Sequence, residues 1–257
     1  MILNQAADIN YIPKRIVSLV PSQTELLYDL NLEAETIGIT KFCVHPQSWF
    51  KTKQRVGGTK TVKIDTIHLL KPDLIIANKE ENVKEQIEEL AQDYPVWLTD
   101  INNLPDALAM IADIGTLTGR MEAAKALIDI IGNAFKEIPQ IQKPLKTAYL
   151  IWRKPYMSVG GDTFINDMLL QCGFENIFSC KARYPQITTE DLLIANCQLL
   201  LLSSEPYPFK QKHIDELSAH LPDTKIILAD GEFFSWYGSR LLEFPEYFKK
   251  LLLRIQA

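Results

Sequence analysis

From Leu104 to Ile138 the chain runs LPDALAMIADIGTLTGRMEAAKALIDIIGNAFKEI, with apolar residues at 104, 108, 111, 114, 117, 121, 124, 128, 131, 135 and 138. Every step is three or four residues, the period that lines one face of a helix. Asn103 can cap the start, Pro105 sits where a missing N–H costs nothing, and Pro139 stops the helix. Unbroken, such a helix reaches roughly 50 Å at ~1.5 Å per residue. Gly115 and Gly119 each cost about 1 kcal/mol relative to alanine in a helix interior. The alternative is therefore a break at Gly119, with 104–118 ending a first lobe and Arg120 to Ile138 forming the connector. Expected boundaries are then 1–118, 119–138 and 139–257, a helical girder between two lobes.

The flanks support two lobes. Before the helical stretch, 15–20 (RIVSLV), 37–40, 74–77 and 96–99 read as strands, and 24–32, 64–70 and 80–92 as helices. Ser22 and Glu25 have capping-box spacing ahead of the first of these helices. After it, 147–152, 199–203 and 226–229 read as strands, and 164–172, 213–220 and 241–255 as helices. Strand alternating with helix implies βαβ units and mostly parallel sheets, hence an α/β protein. A repeat links the halves. DTIHLLKPDLIIA begins at Asp65 and EDLLIANCQLLLL at Glu190; in both an acid opens a short apolar helix and a buried strand starts nine residues later, at Leu74 and Leu199. The bland role for both acids is to favour the helix dipole.

Composition narrows the function. With 257 residues and 47 % hydrophobic content the chain is ordinary for a globular protein, and a net charge of −5 without long runs argues against a nucleic-acid surface. No apolar run approaches the ~20 residues of a membrane span. The start, MILNQAADINYIPKR, shows no signal peptide. This leaves a cytoplasmic protein, or an exported one whose signal is outside this sequence or upstream of a mis-assigned start. Cys43, Cys172, Cys180 and Cys197 form no C-x-x-C pair, and the four histidines have no metal-ligand spacing, so free thiols and no metal site are expected.

No phosphate-binding or nucleophile-elbow motif is present, and no catalytic residue is expected. VGGDTF at 159–164 is a glycine turn opening a helix; it could cradle an anion, but a turn capped by Asp162 or Thr163 is simpler. The aromatics are better placed than the charges. Phe42, Trp49, Tyr156, Tyr184, Phe234, Trp236 and Tyr237 fall in loops after strands or beside glycine and proline. In α/β lobes such loops gather at the carboxyl ends of the strands, where a large flat ligand binds, and about half of these rings are expected to plug the core instead.

SLVPSQTELLYDL (18–30), VGG…LLKPDLIIA (56–77), VGGDTFINDMLLQCGFENIF (159–178) and YPQITTEDLL (184–193), in this order, resemble the cobalamin- and siderophore-binding proteins of ABC importers, the class with a rigid helical backbone. The resemblance runs from about Arg15 to the C-terminus. It implies two Rossmann-like lobes joined by a long backbone helix, a ligand cleft between the lobes that closes little, and a periplasmic, monomeric binding protein without enzymatic activity or resident cofactor. The implied cargo is a corrinoid or other metal chelate, haem or a ferric siderophore being next after the corrinoid, and the implied partner is the importer's permease. A cytoplasmic metal-chelate-binding protein or enzyme subunit of the same fold is the alternative. On each lobe the resemblance implies an acid that pairs with permease arginines, matching Asp65 and Glu190. For the ligand it implies aromatic positions matching Phe42, Met157 and Tyr184, of which methionine replaces one. Thr59 stands where the cobalamin-binding member has a tryptophan, and Trp236, Tyr237 and Arg240 are expected to compensate.

Overall fold

The computed structural model describes residues 1–3, 5–139 and 141–256. The chain divides into two compact units, Met1–Ile101 with Pro105–Ile131 and Tyr237–Arg240, and Asn102–Leu104 with Gly132–Trp236 and Leu241–Ala257. In the first unit, β1 (Ile2–Leu3), β2 (Ile16–Ser18), β3 (Thr36–Ile39), β4 (Gln54–Arg55), β5 (Leu74–Asn78) and β6 (Val96–Thr99) form one sheet in the order β1-β6-β5-β2-β3-β4. Every neighbouring pair is parallel. A parallel sheet covered on both faces needs strands that are apolar throughout, and β5 is buried at every position. Helices α1 (Pro21–Asp29), α2 (Gln47–Thr52), α3 (Ile64–Leu70) and α4 (Lys84–Asp93) make the crossovers.

The long apolar stretch is two helices, α5 (Leu104–Thr118) and α6 (Met121–Lys136). Gly119 takes a left-handed φ of 68°. The Arg120 N–H donates to the Gly115 carbonyl at 2.7 Å and the Gly119 N–H to the Thr116 carbonyl at 3.3 Å, the pattern that closes a helix on a left-handed glycine. Gly115 serves a different purpose. A Cβ there would lie 2.4 Å from the Ala124 Cβ, so its absence lets the two helices approach. The compact units divide inside α6, between Ile131 and Gly132. In the second unit Phe135 of α6 stacks on Phe244 at 5.4 Å.

The second unit holds β7 (Lys146–Leu150), β8 (Tyr156–Met157), β9 (Glu175–Asn176), β10 (Gln186–Ile187), β11 (Leu199–Ser203) and β12 (Lys225–Ala229). Its main sheet runs β12-β11-β7-β9, all parallel, while β8 and β10 pair antiparallel. Its helices are α7 (Phe164–Gln171), α8 (Thr189–Ile194), α9 (Gln211–Ser218), α10 (Gly231–Ser235) and α11 (Phe244–Gln256).

The sequence repeat is a structural repeat. In each unit the strand order reverses once, between β2 and β5 and between β7 and β11. Asp65 and Glu190 are each the second residue of a helix, with Ile67 and Leu192 fully buried beneath. Lys71 and Asn196 then both turn left-handed, at φ 47° and 54°. The Asp73 carboxylate accepts the Arg15 N–H at 2.8 Å, just before β2, and the Gln198 amide oxygen accepts the Lys146 N–H at 3.0 Å, opening β7. The capping box proposed for Ser22 and Glu25 does not form. Pro21 starts α1 with Val20 as its N-cap, because the fixed φ of proline suits a first helical position, and Ser22 is buried one residue further in.

Gly115→Ala should destabilise the protein by about 1–3 kcal/mol through overpacking, although alanine is the better helix former. Adding Ala124→Gly should restore part of the loss. Urea unfolding of both variants measures this, and a stabilised Gly115→Ala would contradict the close approach.

Candidate functional site

In open α/β sheets ligands bind outside the carboxyl ends of the strands, where strand order reverses. In the first unit these ends are tied by a buried polar network. The Asn78 side-chain amide, at the end of β5, donates to the Thr99 hydroxyl at 3.1 Å and its carbonyl at 3.2 Å. Gln23 of α1 donates to the same hydroxyl at 2.6 Å. Asn82 donates to the Leu19 and Thr59 carbonyls at 3.3 and 3.1 Å, and its own amide oxygen accepts the Asn78 N–H at 2.9 Å. These amides hold the loops after β2, β4, β5 and β6 in place, and Thr59 itself is buried at their base.

Phe42, after β3, stays half exposed at 50 %. Its loop is held down because Cys43 is fully buried, with Thr24 donating to its sulfur at 3.1 Å. Its ring lies against the glycine loop that leads to Thr59, and a Cβ on Gly58 would come within 3.2 Å of it. On the other side of α1, Tyr237 is buried and Gly238, at φ 120°, packs against the Ser22 carbonyl. Arg240 grips Glu25 through its Nε and Nη2, which donate to the two carboxylate oxygens at 2.9 and 2.5 Å. Burial raises the Glu25 carboxyl above the ordinary range even though Arg240 pulls the other way.

In the second unit Met157 and Tyr184 are brought together. Met157 pairs with Gln186 across β8 and β10, and the Ser158 N–H donates to the Pro185 carbonyl at 2.9 Å. Both side chains are half-buried. The 159–164 glycine turn supports this loop rather than an anion. Cβ atoms on Gly160 and Gly161 would lie 2.3 and 2.2 Å from the Lys181 and Ser179 carbonyls. Thr163 caps α7, and Asp162 accepts the Arg183 N–H at 2.6 Å, beside Tyr184. Trp236 is only 7 % exposed, its indole N–H donating to Glu205 at 3.1 Å, and the Ser235 hydroxyl donates to the same carboxylate oxygen at 3.0 Å.

Among the aromatics named from sequence, Trp49 and Phe234 are fully buried. Trp152 was missed. It follows β7, is 40 % exposed, and meets Tyr207 edge-on at 5.8 Å; the signal available was its place at the end of a predicted strand. Asn78, Asn82 and Glu205 carried no sequence signal. Among the described residues no group of three His, Cys, Asp or Glu side chains is placed to hold a metal ion. Asp65 and Glu190 are both exposed. Hydrogen bonds from the Glu190 backbone N–H, then from Thr188, lower the Glu190 pKa.

Residues 16–222 match the sequence family described as periplasmic binding protein. A vitamin B12-binding protein of Vibrio campbellii is 27 % identical over 208 residues, covering 79 % of this chain and 75 % of the relative. Among solved structures, the periplasmic vitamin B12-binding protein of Vibrio cholerae superposes with a TM-score of 0.77 at 19 % identity, covering 96 % of this chain and 99 % of that one. The periplasmic haem-binding protein of the same organism gives 0.80 at 19 %, covering 93 % and 98 %.

Arg240→Met should cost about 2–4 kcal/mol in urea unfolding, because it leaves a largely buried carboxylate unpaired. Adding Glu25→Gln should recover more than half of that. A ligand titration of the recovered double variant then separates the two roles of Arg240: retained affinity makes the arginine purely structural, and lost affinity makes it a ligand contact as well.

Proposed function

On the premise that the chain belongs to the periplasmic binding protein family, we propose that it captures a metal chelate, a corrinoid first of all, and delivers it to the permease of an ABC importer. Haem and ferric siderophores are the next ligands in order. The observation that carries this reading is the set of apolar side chains left exposed or half-buried around the carboxyl ends of the strands. Phe42 supplies it in the first unit; Trp152, Met157 and Tyr184 supply it in the second. Aromatic faces and a polarizable thioether suit a flat macrocycle, which gains affinity from stacking and burial. The function is binding without chemistry, and the chelate is cargo rather than a resident cofactor. Capture ahead of import places the protein in the periplasm.

The corrinoid is ranked ahead of haem on the names of similar proteins, a vitamin B12-binding relative and solved vitamin B12- and haem-binding structures. Asp65 and Glu190 are proposed to dock on basic residues of the permease. A purely local role as helix-dipole acids is weakest for Glu190, since Thr188 and Asp191 already form the capping box of α8. Exposed charges of this kind set orientation and encounter rate.

Absorbance titration and thermal shift with cobalamin, cobinamide, haem and a ferric siderophore test the ligand class. A corrinoid should raise Tm in a concentration-dependent way, and failure of all four to bind would overturn the proposal. Phe42→Ala and Tyr184→Ala should each weaken binding by about 1–3 kcal/mol in calorimetry, with unfolding unchanged. Asp65→Arg combined with Glu190→Arg should keep ligand affinity and abolish productive docking; unimpaired transport by that variant would remove both acids from the interface.

A further inference from the structure

Each docking acid has a companion that the function above does not use. One helical turn beyond Asp65, Leu69 is 82 % exposed; one turn beyond Glu190, Ile194 is 80 % exposed. Residues four apart lie on the same face of a helix, so each helix shows solvent a carboxylate and an aliphatic side chain side by side. A single exposed leucine needs no explanation. The same pairing at the same register in both units does. The rest of each helix is conventional, with Ile67 and Leu192, two residues after each acid, turned fully inward. Leu193, beside Ile194, is also exposed at 52 %.

The helix ends themselves do not require this exposure. Both close on a left-handed residue, Lys71 and Asn196, and their backbones are satisfied locally: the Lys71 N–H donates to the Ile67 carbonyl at 3.1 Å and the Asn196 N–H to the Leu193 carbonyl at 3.0 Å. A polar side chain would fit at 69 or 194 without disturbing either helix. Keeping large aliphatic groups there leaves apolar surface in water, which costs free energy in proportion to its area.

We infer that Leu69 and Ile194 are apolar anchors of the docking surface, each seated in a hydrophobic recess of a partner that sets a basic residue next to that recess. The inference rests on the permease-docking reading of Asp65 and Glu190 and adds the element that supplies affinity. Exposed ion pairs contribute little net energy and are screened by salt. A buried leucine or isoleucine side chain contributes more and is insensitive to salt. Because the acid-and-anchor pair occurs once in each unit, each occurrence calls for its own recess with an arginine or lysine beside it. The occupant is the importer's permease, a membrane protein with such basic-edged recesses.

The test measures docking of the full-length protein on the host's permease–ATPase complex in lipid nanodiscs, by biolayer interferometry at low and at high salt. Leu69→Ser with Ile194→Ser should weaken docking at least tenfold at both salt concentrations, with ligand binding and thermal unfolding unchanged. Wild-type protein should retain a salt-resistant share of binding that this double variant lacks. The Asp65→Asn, Glu190→Gln variant should instead lose the salt-dependent share. If the serine variant docks within twofold of wild type while the neutralised acids dock poorly, the anchors are overturned and the acidic contact stands. If the serine variant docks poorly and the neutralised acids dock normally, the anchors stand and the acidic contact falls. Normal docking by both variants overturns both.

Discussion

Strands buried along their whole length have to end somewhere, and where they end the buried backbone must find partners. Unpaired polar groups inside a protein cost free energy comparable to a lost hydrogen bond. This protein meets the requirement with side chains that turn back on the chain. Asn78 caps β5 by bonding to Thr99, and Asn82 gathers the Leu19 and Thr59 carbonyls. In the second unit the Tyr149 hydroxyl donates to Ser203 at the end of β11, and that serine accepts the Glu205 N–H at 3.3 Å. The loops that follow are thereby held by interactions beneath them. Their outward side chains, Phe42 and Trp152 among them, stay exposed.

Close approach is the second constraint on those loops. Gly160 and Gly161 lie so near the 179–183 segment that any side chain would strike a carbonyl, and Gly231 lies 2.5 Å, at its missing Cβ, from the Ser203 hydroxyl and the Glu205 side chain. Glycine in these places sets how tightly these loops pack.

The duplicated acid, inward apolar residue, left-handed turn and buried strand give both units the same crossover geometry. What differs is the decoration: an aspartate and a leucine on α3, a glutamate and an isoleucine on α8. Chemical class is kept while the residue changes.

Local periodicity made much of this legible. The stripe from Leu104, the two glycines, the repeat from Asp65 and Glu190, and the strands at 96–99 and 199–203 follow from spacing alone, because helix and strand periods are properties of neighbouring residues. The glycine break was legible as well, since only glycine takes a left-handed turn cheaply. Which aromatics would be swallowed by the core was not, and Trp49 and Phe234 went there while Trp152 stayed out. The failed Ser22 capping box shows why. Glu25 was free, on local rules, to turn back to its own helix; instead it meets Arg240, 215 residues away in sequence. The amino-acid order by itself determined the main strands and helices, their repeat and the family they compose, while the short strands β4, β8, β9 and β10 and the helices α2 and α10 emerged only in the fold. Only the tertiary structure decided which polar groups are partners and which rings are exposed, because those outcomes depend on segments that approach one another only after the sheets have formed.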